Sequence, residues 1–341
     1  MKVYNLTDIL ESFDIATWLA GETTDMDRAI QNNVKDALGK TVVFDVELSI
    51  PNSLYLSTLD YKTYYPCKHI CRFFINVQNF KSVQIVDEFG NIFQRKDKLW
   101  QVDSLNVIYM DEPPFLDEKY FFADLFIHMD TKYINQKSVN VKIFITFEED
   151  SEVIDLSHLF KRSENLLNVN NVTLPLGVDS FTAKDMFSAC EKLKNVKGLD
   201  MRRIIDMSGM FQYCKNLRNF KEEIRIDNCD NLDDCFYGCK KLTCLPIKQL
   251  RGGNALRSFT MKDAFKGCTS LKHLDLFWTV PEDVPFYHLN TLGMFTECYA
   301  MSDNDLNTWG WERDIYTTEI WENNDLINSA ELIPYLKASL K

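Results

Sequence analysis

The sequence lacks the features that would place it at once in a membrane, secreted or fibrous class. No apolar run approaches the roughly 20 residues that a membrane span needs. The first 14 positions carry one basic residue and three acids, so they do not form a secretory signal. With 12 glycines and 9 prolines in 341 residues, the chain is neither collagen-like nor disordered. We expect a soluble globular protein that is cytoplasmic, virion-associated or exported by an unusual route.

Catalytic motifs are also missing. The chain has no G-x-S-x-G, no H-E-x-x-H, no P-loop and no glycine-rich dinucleotide fingerprint. Of its five histidines, only His128 has a carboxylate, Asp130, at a spacing that allows both to lie on one side of a strand. That pair is either a metal or acid/base site or an ordinary polar strand face. We expect a non-enzymatic protein without a cofactor, while an enzyme within residues 1–150 stays open as an alternative.

Basic residues are few relative to acidic ones. The 38 Lys and Arg against 50 Asp and Glu give a net charge of −12, which excludes general nucleic-acid binding. The charge is unevenly distributed: between Lys184 and Asp275 there are 18 basic and 12 acidic residues. This segment is therefore +6 and the remainder of the chain is −18. An asymmetry of this size indicates either a partner or an intramolecular use.

Cysteine, by contrast, is abundant. Seven of the ten cysteines lie between Cys190 and Cys268, without the spacing of a paired C-x-x-C zinc site. Since no export signal precedes them, reduced thiols are expected. Two clusters remain as alternative zinc sites, namely Cys67, His69 and Cys71, and the run of Cys229, Cys235, Cys239 and Cys244. The second cluster has a better explanation in a repeat.

The repeat has the frame Phe-x-x-Cys-x-x-Leu. Four complete copies are present, at Phe187/Cys190/Leu193, Phe211/Cys214/Leu217, Phe236/Cys239/Leu242 and Phe265/Cys268/Leu271. Degenerate copies flank them at Phe160/Ser163/Leu166 and Phe295/Cys298/Met301. The steps between successive phenylalanines are 27, 24, 25, 29 and 30 residues. Periods of this length are typical of solenoids, in which each unit stacks on its neighbours.

The frame predicts how each repeat folds. Residues three and six apart lie near one helical stripe, so Phe, Cys and Leu are expected to face inward together. The cysteine is then a stacked core residue that allows close approach. After each leucine a short alternating segment predicts one strand per repeat, paired in parallel with the next; these segments begin at Leu193, Leu217, Leu242 and Leu271.

The repeat unit resembles that of BspA-type leucine-rich-repeat proteins. The segment 205–217, IDMSGMFQYCKNL, is similar to the D-M-S-x-M-F-x-x-C-x-x-L unit of that family, and 184–193 and 262–276 follow the same pattern. The resemblance covers about residues 153–302. It implies a leucine-rich-repeat fold and a role in adhesion or protein recognition, since members are mostly surface or secreted binding proteins of bacteria and protists. The family's usual secretion signal is absent here.

Residues 1–150 follow a different pattern. Two helical stretches open the chain, the second over Asp25–Leu38. Alternation of apolar and polar residues then predicts strands over 42–50 and 139–147, a hairpin over 83–94 turning near Gly90, and further strands at 105–109 and 121–128. These features predict an antiparallel, sandwich-like β-rich domain.

The predicted fold class is α+β, with the N-terminal β-rich domain followed by an irregular leucine-rich-repeat solenoid. The domains are 1–150, a solenoid of about six coils at 151–302, and a C-terminal cap at 303–341. Trp309, Trp311 and Trp321 either cover the apolar end of the solenoid or anchor a partner.

One surface is predicted to bind a partner. Lys194, Arg218, Thr243 and Lys272 directly follow the leucines of successive repeats, which would stack them about 5 Å apart into a basic ladder. The candidate partner-binding residues are Lys194, Lys197, Arg218, Lys221, Lys272, His273, Trp309 and Trp311. The expected function is recognition of an acidic protein or glycan. The alternatives are a solvated lysine face without a partner, or a structural subunit of an assembly such as a phage virion or surface appendage.

Overall fold

The computed structural model describes the chain from residue 39 to residue 301, with gaps. The described residues are 39–52, 55–60, 63–76, 80–88, 92–96, 99–102, 120–128, 133, 135–148, 150–175, 177–218, 220, 224–226, 228–250, 259–278, 289–290 and 292–301. The predicted helices over residues 1–38, the strand at 105–109 and the cap at 303–341 lie outside them.

Eighteen β-strands dominate the described residues, with one 3-10 helix over Met201–Arg203. The strands are β1 Thr41–Ser49, β2 Tyr55–Asp60, β3 Thr63–Asn76, β4 Phe80–Asp87, β5 Ile92–Lys96, β6 Leu99–Val102, β7 Tyr120–His128, β8 Ser138–Phe147, β9 Val153–Asp155, β10 Leu166–Thr173, β11 Ser180–Thr182, β12 Asn195–Val196, β13 Ile204–Asp206, β14 Ile224–Arg225, β15 Cys244–Leu250, β16 Phe259–Thr260, β17 His273–Trp278 and β18 Leu289–Asn290.

A seven-stranded sheet organises the first half of the structure. Its order is β12-β10-β1-β8-β4-β5-β6. β1 lies between β10 and β8 and is antiparallel to both. Because side chains alternate along a strand, Val42, Phe44, Val46 and Leu48 all enter the main core from β1. The strands predicted at 42–50 and 139–147, and the hairpin predicted over 83–94, are confirmed as β1, β8 and the antiparallel pair β4 and β5.

A smaller antiparallel sheet, β2-β3-β7, contributes to the same core. Ile70 and Phe73 of β3 and Leu125 of β7 belong to the cluster that contains Phe44. The core continues without a break into the repeats, because Phe160 packs edge-on against Phe44 at 5.3 Å and Phe73 at 5.8 Å between ring centroids. The N-terminal sheets thereby cover the first repeat.

In the repeats, each frame phenylalanine lies at the centre of a turn that is hydrogen-bonded to the turn of the next repeat. Around Phe187, the N–H groups of Ala183, Asp185, Phe187 and Ala189 donate to carbonyls of the following repeat over 2.7–2.9 Å. The same four positions relative to the phenylalanine donate in the repeats of Phe160, Phe211 and Phe236. The repeat frame therefore sets the register of the whole stack of turns, residues 153–301, which we call the repeat stack.

Two residues in every turn adopt a left-handed backbone conformation. They stand two positions before and two positions after the phenylalanine, at His158/Arg162, Asp185/Ala189, Gly209/Tyr213, Asp234/Gly238, Asp263/Gly267 and Gly293/Glu297, with φ between 52° and 71°. A right-handed helix cannot pass through such a residue. The N–H groups that do not donate to the next repeat instead donate to the carbonyl three residues earlier in the chain. For example, Cys190 N–H donates to the Phe187 carbonyl at 3.0 Å.

These observations correct the predicted fold class. The α+β class with a leucine-rich-repeat solenoid is wrong: the described residues are β-rich and contain no α-helix. The physical reason is the pair of left-handed residues, which turns the Phe-x-x-Cys-x-x-Leu spacing into consecutive tight turns. In addition, β10 and β12 extend the N-terminal sheet, so the repeats do not form a separate solenoid.

Other predictions have mixed outcomes. Short parallel strands after the repeat leucines are confirmed for β12, which pairs with β10, and for β15 and β17, which pair with each other. After Leu217, residues 218 and 220 are described and lie outside any strand. The domain boundaries near 150 and 302 stay predictions. Within the described part of the chain, no helix is long and apolar enough to cross a membrane.

The left-handed turn position makes Gly209 difficult to replace. It has φ +61°, and a Cβ added there would stand 2.2 Å from Oδ1 of Asp185 in the preceding repeat. We expect Gly209→Ala to lower the free energy of unfolding by about 1–3 kcal/mol in urea denaturation. Gly177→Ala is the matched control, since a Cβ there meets nothing within 4 Å and its φ is not left-handed. Equal stability of the two variants would contradict the turn geometry.

Candidate interaction surface

The interior of the repeat stack is built from the frame phenylalanines. Six rings stack in a row from Phe160 to Phe295, with centroid separations of 5.3–5.7 Å and interplanar angles of 6–14°. All six side chains are buried. Offset stacking adds to the burial of these large rings. The stack holds successive repeats in a fixed register and so positions their surface residues.

The frame cysteines form a second buried column. Each thiol donates to the carbonyl of the phenylalanine one repeat earlier; for example, Cys214 Sγ lies 3.1 Å from the Phe187 oxygen. The same contact recurs at 2.9–3.1 Å for Cys190, Cys239, Cys268 and Cys298. In the first repeat Ser163 stands at this position, and its hydroxyl donates to the Arg72 carbonyl at 2.5 Å. The prediction that the cysteine is a stacked core residue is confirmed, although its helical basis is wrong.

Burial keeps these thiols protonated. It raises the pKa of Cys214 and Cys268 well above the usual range, and that of Cys229 to about 12. A thiol that stays protonated can donate to a carbonyl but is a poor nucleophile and metal ligand. Among the residues that the structure describes, no group of three or more His, Cys, Asp or Glu side chains is placed to hold a metal ion.

Three residues of the predicted basic ladder are exposed, and backbone hydrogen bonds join two pairs of its residues. Lys194, Arg218 and Lys272 are exposed and Thr243 is half-buried. Arg218 N–H donates to the Lys194 carbonyl at 3.1 Å, and Lys272 N–H donates to the Thr243 carbonyl at 2.9 Å. Lys197, also exposed, lies three residues beyond Lys194. We call Lys194, Lys197, Arg218 and Lys272 the basic column.

The basic column differs from several lysines on the turns. Lys161 pairs with Asp185 at 2.7 Å and Lys215 pairs with Glu191 at 2.5 Å, each linking adjacent repeats. Lys192 and Lys241 likewise link adjacent repeats, through Asn165 and Asn216. Lys266 pairs with Asp263 of its own turn. Within the described residues, no ion pair or side-chain hydrogen bond engages the four residues of the basic column. Their charges therefore face solvent rather than hold the fold together.

A ladder of asparagine side chains borders the column on the seven-stranded sheet. Asn195 Nδ2 donates to Asn168 Oδ1 at 2.8 Å, and Asn168 Nδ2 donates to Glu47 Oε2 at 2.6 Å. Lys194 directly precedes Asn195, the first residue of β12, whose side-chain amide is fixed by this ladder. These hydrogen bonds fix the position of Lys194, the first residue of the basic column, relative to the seven-stranded sheet.

A cleft of about 280 Å³ opens next to the column, between the repeat of Phe187 and that of Phe211. It is lined by Val196, Gly198, Leu199, Asp200, Met201, Arg202, Phe220, Ile224 and Arg225. Asp200 caps the 3-10 helix and accepts from Arg202 Nε and Nη2, both at 2.7 Å. These hydrogen bonds lower the pKa of Asp200. No sequence pattern predicts this cleft, because its walls come from two repeats and from segments outside the frame.

Several predicted site residues are not brought into this surface by the described structure. Lys221, Trp309 and Trp311 lie outside the described residues, as does Asp130. His273 is described only as a backbone position in β17, where it pairs with Cys244. His128 is likewise a backbone position in β7, opposite Cys67 of β3. The roles predicted for these residues stay predictions.

The fold and the surface together define a β-rich repeat protein whose repeats expose a basic column. Comparison with known families gives two overlapping matches, at residues 127–249 and 181–309, to the family described as Mycoplasma protein of unknown function, DUF285. The matches together span more than half of the chain, which therefore belongs to this family. No curated protein and no solved structure matches the chain.

Proposed function

We propose that this protein is a non-enzymatic recognition protein that binds an acidic partner through the basic column. The observation that carries the proposal is that Lys194, Lys197, Arg218 and Lys272 are exposed and have no ion-pair partner among the described residues. By contrast, three lysines of the turns form ion pairs and two others donate hydrogen bonds to asparagine side chains. Like charges held on a rigid surface repel one another, and an acidic partner relieves that repulsion.

The repeat unit supports a binding role. Its similarity to the unit of BspA-type leucine-rich-repeat proteins implies recognition or adhesion, since members of that family are mostly binding proteins. The stacked phenylalanines and the turn-to-turn hydrogen bonds supply a rigid support, which reduces the ordering cost when a partner binds.

Reversal of the column charges tests the proposal. The triple variant Lys194→Glu, Arg218→Glu and Lys272→Glu is expected to weaken binding of fluorescein-labelled poly-L-glutamate by about 100-fold at 50 mM salt. Each reversal removes an attraction of about 0.5–1 kcal/mol and adds a repulsion of similar size. Fluorescence anisotropy measures the affinity. Wild-type binding is expected to weaken as salt rises, because screening shortens the Debye length from above about 10 Å to well below it.

The matched control reverses three exposed lysines away from the column, Lys81, Lys137 and Lys262. It changes the net charge of the chain by the same amount. Poly-L-glutamate affinity close to that of the wild type is expected for this control. If both triple variants lose affinity equally, net charge and not the column determines binding, and the column is an ordinary solvated face.

A second candidate function is a structural subunit of a larger assembly. The observation that favours it is the charge asymmetry between +6 over Lys184–Asp275 and −18 over the rest of the chain. Head-to-tail contact between such surfaces on successive copies generates a ring or a filament. This candidate predicts a mass above that of a single chain at low salt.

A further inference from the structure

The cleft beside the basic column is lined by five apolar side chains together with Gly198 and three charged residues. Among the apolar residues, Val196, Met201 and Ile224 are buried. Leu199 and Phe220 are partly exposed. Partly exposed apolar side chains around a concave surface are a typical feature of sites that receive an apolar group from a partner.

The volume of the cleft limits what can enter it. At about 280 Å³ it is smaller than the range of about 300–1,000 Å³ found for sites that enclose drug-sized molecules. One or two amino-acid side chains are of the right size. A segment of a polymer that lies across the cleft and inserts one side chain therefore fits better than a free cofactor.

The charges at the cleft select an acidic segment. Its lining carries two guanidinium groups, Arg202 and Arg225, and one carboxylate, Asp200, so it is positive by one charge. Lys197, an exposed member of the basic column, directly follows Val196 in the lining. Carboxylates next to an inserted apolar side chain would be attracted by these cations.

The aromatic content of the lining argues for a peptide over a glycan. Sugars bind aromatic rings by their flat faces, and Phe220 is the single aromatic residue among the lining residues. Its ring packs against Phe211 at 5.6 Å and Phe236 at 6.1 Å, at interplanar angles of 72° and 85°. This ring is thereby used within the core, and the other apolar lining residues, Val196, Leu199, Met201 and Ile224, are not aromatic, as suits a leucine-like side chain.

We infer that the cleft receives a leucine-sized apolar side chain from an acidic protein segment, whose carboxylates lie along the basic column. This inference rests on the proposed function and names its partner as a protein. The charges of the acidic segment speed its association with the protein and orient it on the surface. The inserted side chain determines which acidic partners bind more tightly.

Two labelled heptapeptides test the inference on the full-length protein. In the first, a leucine is flanked on each side by three acidic residues; in the second, alanine replaces the leucine. Burial of the additional methyl and methylene groups of leucine is expected to give at least about tenfold tighter binding in fluorescence anisotropy at 50 mM salt. Because this comparison uses the wild-type protein, it does not depend on the folding of any variant.

A matched pair of variants locates the effect. Leu199→Glu places a carboxylate in the cleft and is expected to reduce the leucine preference to less than twofold. Val153→Glu makes the same kind of change at an apolar residue of β9 that is 40% exposed and outside the cleft lining, and should keep the preference. If Leu199→Glu unfolds the chain, Leu199→Gln provides the same comparison without an added charge.

The outcomes separate this inference from the proposed function. Tighter binding of the leucine peptide that is lost in Leu199→Glu and kept in Val153→Glu supports it. Equal affinity of the two peptides overturns it, while the proposed function stands if the charge-reversed column abolishes binding of both. If neither peptide binds but a hyaluronan oligosaccharide does, the partner is a glycan and the inference fails. If no polyanion binds, the proposed function fails as well.

Discussion

Replacing Cys214 with aspartate is expected to abolish the cooperative thermal unfolding of the repeat stack. Cys214 is fully buried, and its thiol donates to the Phe187 carbonyl at 3.1 Å. An ionised carboxylate at this position would face a carbonyl oxygen in the core with no cation to pair with, and desolvation of such a charge costs several kcal/mol. We expect a loss of more than about 4 kcal/mol, which places the variant among the most destabilised single substitutions. Differential scanning calorimetry of the full chain measures the effect.

Cys214→Ser is the control for this experiment. Its hydroxyl can donate to the same carbonyl, as Ser163 does to the Arg72 carbonyl in the first repeat. We expect it to lose no more than about 2 kcal/mol, because the hydrogen bond is kept and only a slightly smaller atom is introduced. A native transition in Cys214→Asp, at the temperature of Cys214→Ser, would show that the cysteine column is not part of the core.

Truncation of a central ring in the phenylalanine stack has the second large expected effect. Phe211 lies between Phe187 at 5.5 Å and Phe236 at 5.3 Å and is fully buried. Phe211→Ala removes both stacking contacts and the edge-on contact with Phe220. It leaves a cavity that the turns cannot close, since their hydrogen bonds fix the spacing of the repeats. We expect a loss of about 3–5 kcal/mol in the free energy of unfolding, measured by urea denaturation.

Tyr213→Ala serves as the comparison within the same turn. Tyr213 is two residues from Phe211 and 41% exposed, and its ring contacts Tyr237 edge-on at 5.0 Å. Its truncation is expected to cost less than about 1.5 kcal/mol, since the side chain is already partly in water. If Tyr213→Ala and Phe211→Ala were equally destabilising, the stability of the repeats would not come from the phenylalanine stack.

The strands of the N-terminal region were largely predictable from sequence, because alternation is a direct consequence of strand geometry. Phe44, Val46 and Leu48 alternate with Asp45 and Glu47 in β1, and these three apolar residues enter the core together with Val42. The pairing of β10 and β12 with this sheet was not predictable. It depends on contacts between residues more than 100 positions apart, such as Val46 with Val169, which no local pattern encodes.

The repeat frame was predictable, but its local conformation was not. A spacing of three and six residues is shared by a helix and by a series of tight turns, so periodicity alone could not separate them. A usable signal was present at the flanking positions. Asp or Gly stands two residues before Phe187, Phe211, Phe236, Phe265 and Phe295. Glycine also stands two residues after Phe236 and Phe265. These residues tolerate the left-handed region and disfavour a helix interior.

The candidate site was also predictable only in part. The basic column follows the repeat frame, so the frame correctly placed Lys194, Arg218 and Lys272 at exposed positions. The cleft depends on Leu199, Met201 and Phe220, which lie outside the frame and meet only after the repeats stack. The sequence alone also could not show which basic side chains form ion pairs, because the acidic partner comes from the neighbouring repeat. Lys215, for example, pairs with Glu191.

The mass of the native protein in solution, measured by light scattering from about 50 to 500 mM salt, tests whether the basic column is free to bind a foreign partner, since this range takes the Debye length from above about 10 Å to well below it. We expect the mass of a single chain, 39.9 kDa, at every salt concentration, because no other copy of the chain occupies the column. A larger mass at 50 mM that falls to 39.9 kDa at 500 mM would contradict it. The column would then be occupied by the acidic surface of another copy, and the protein would be an assembly subunit.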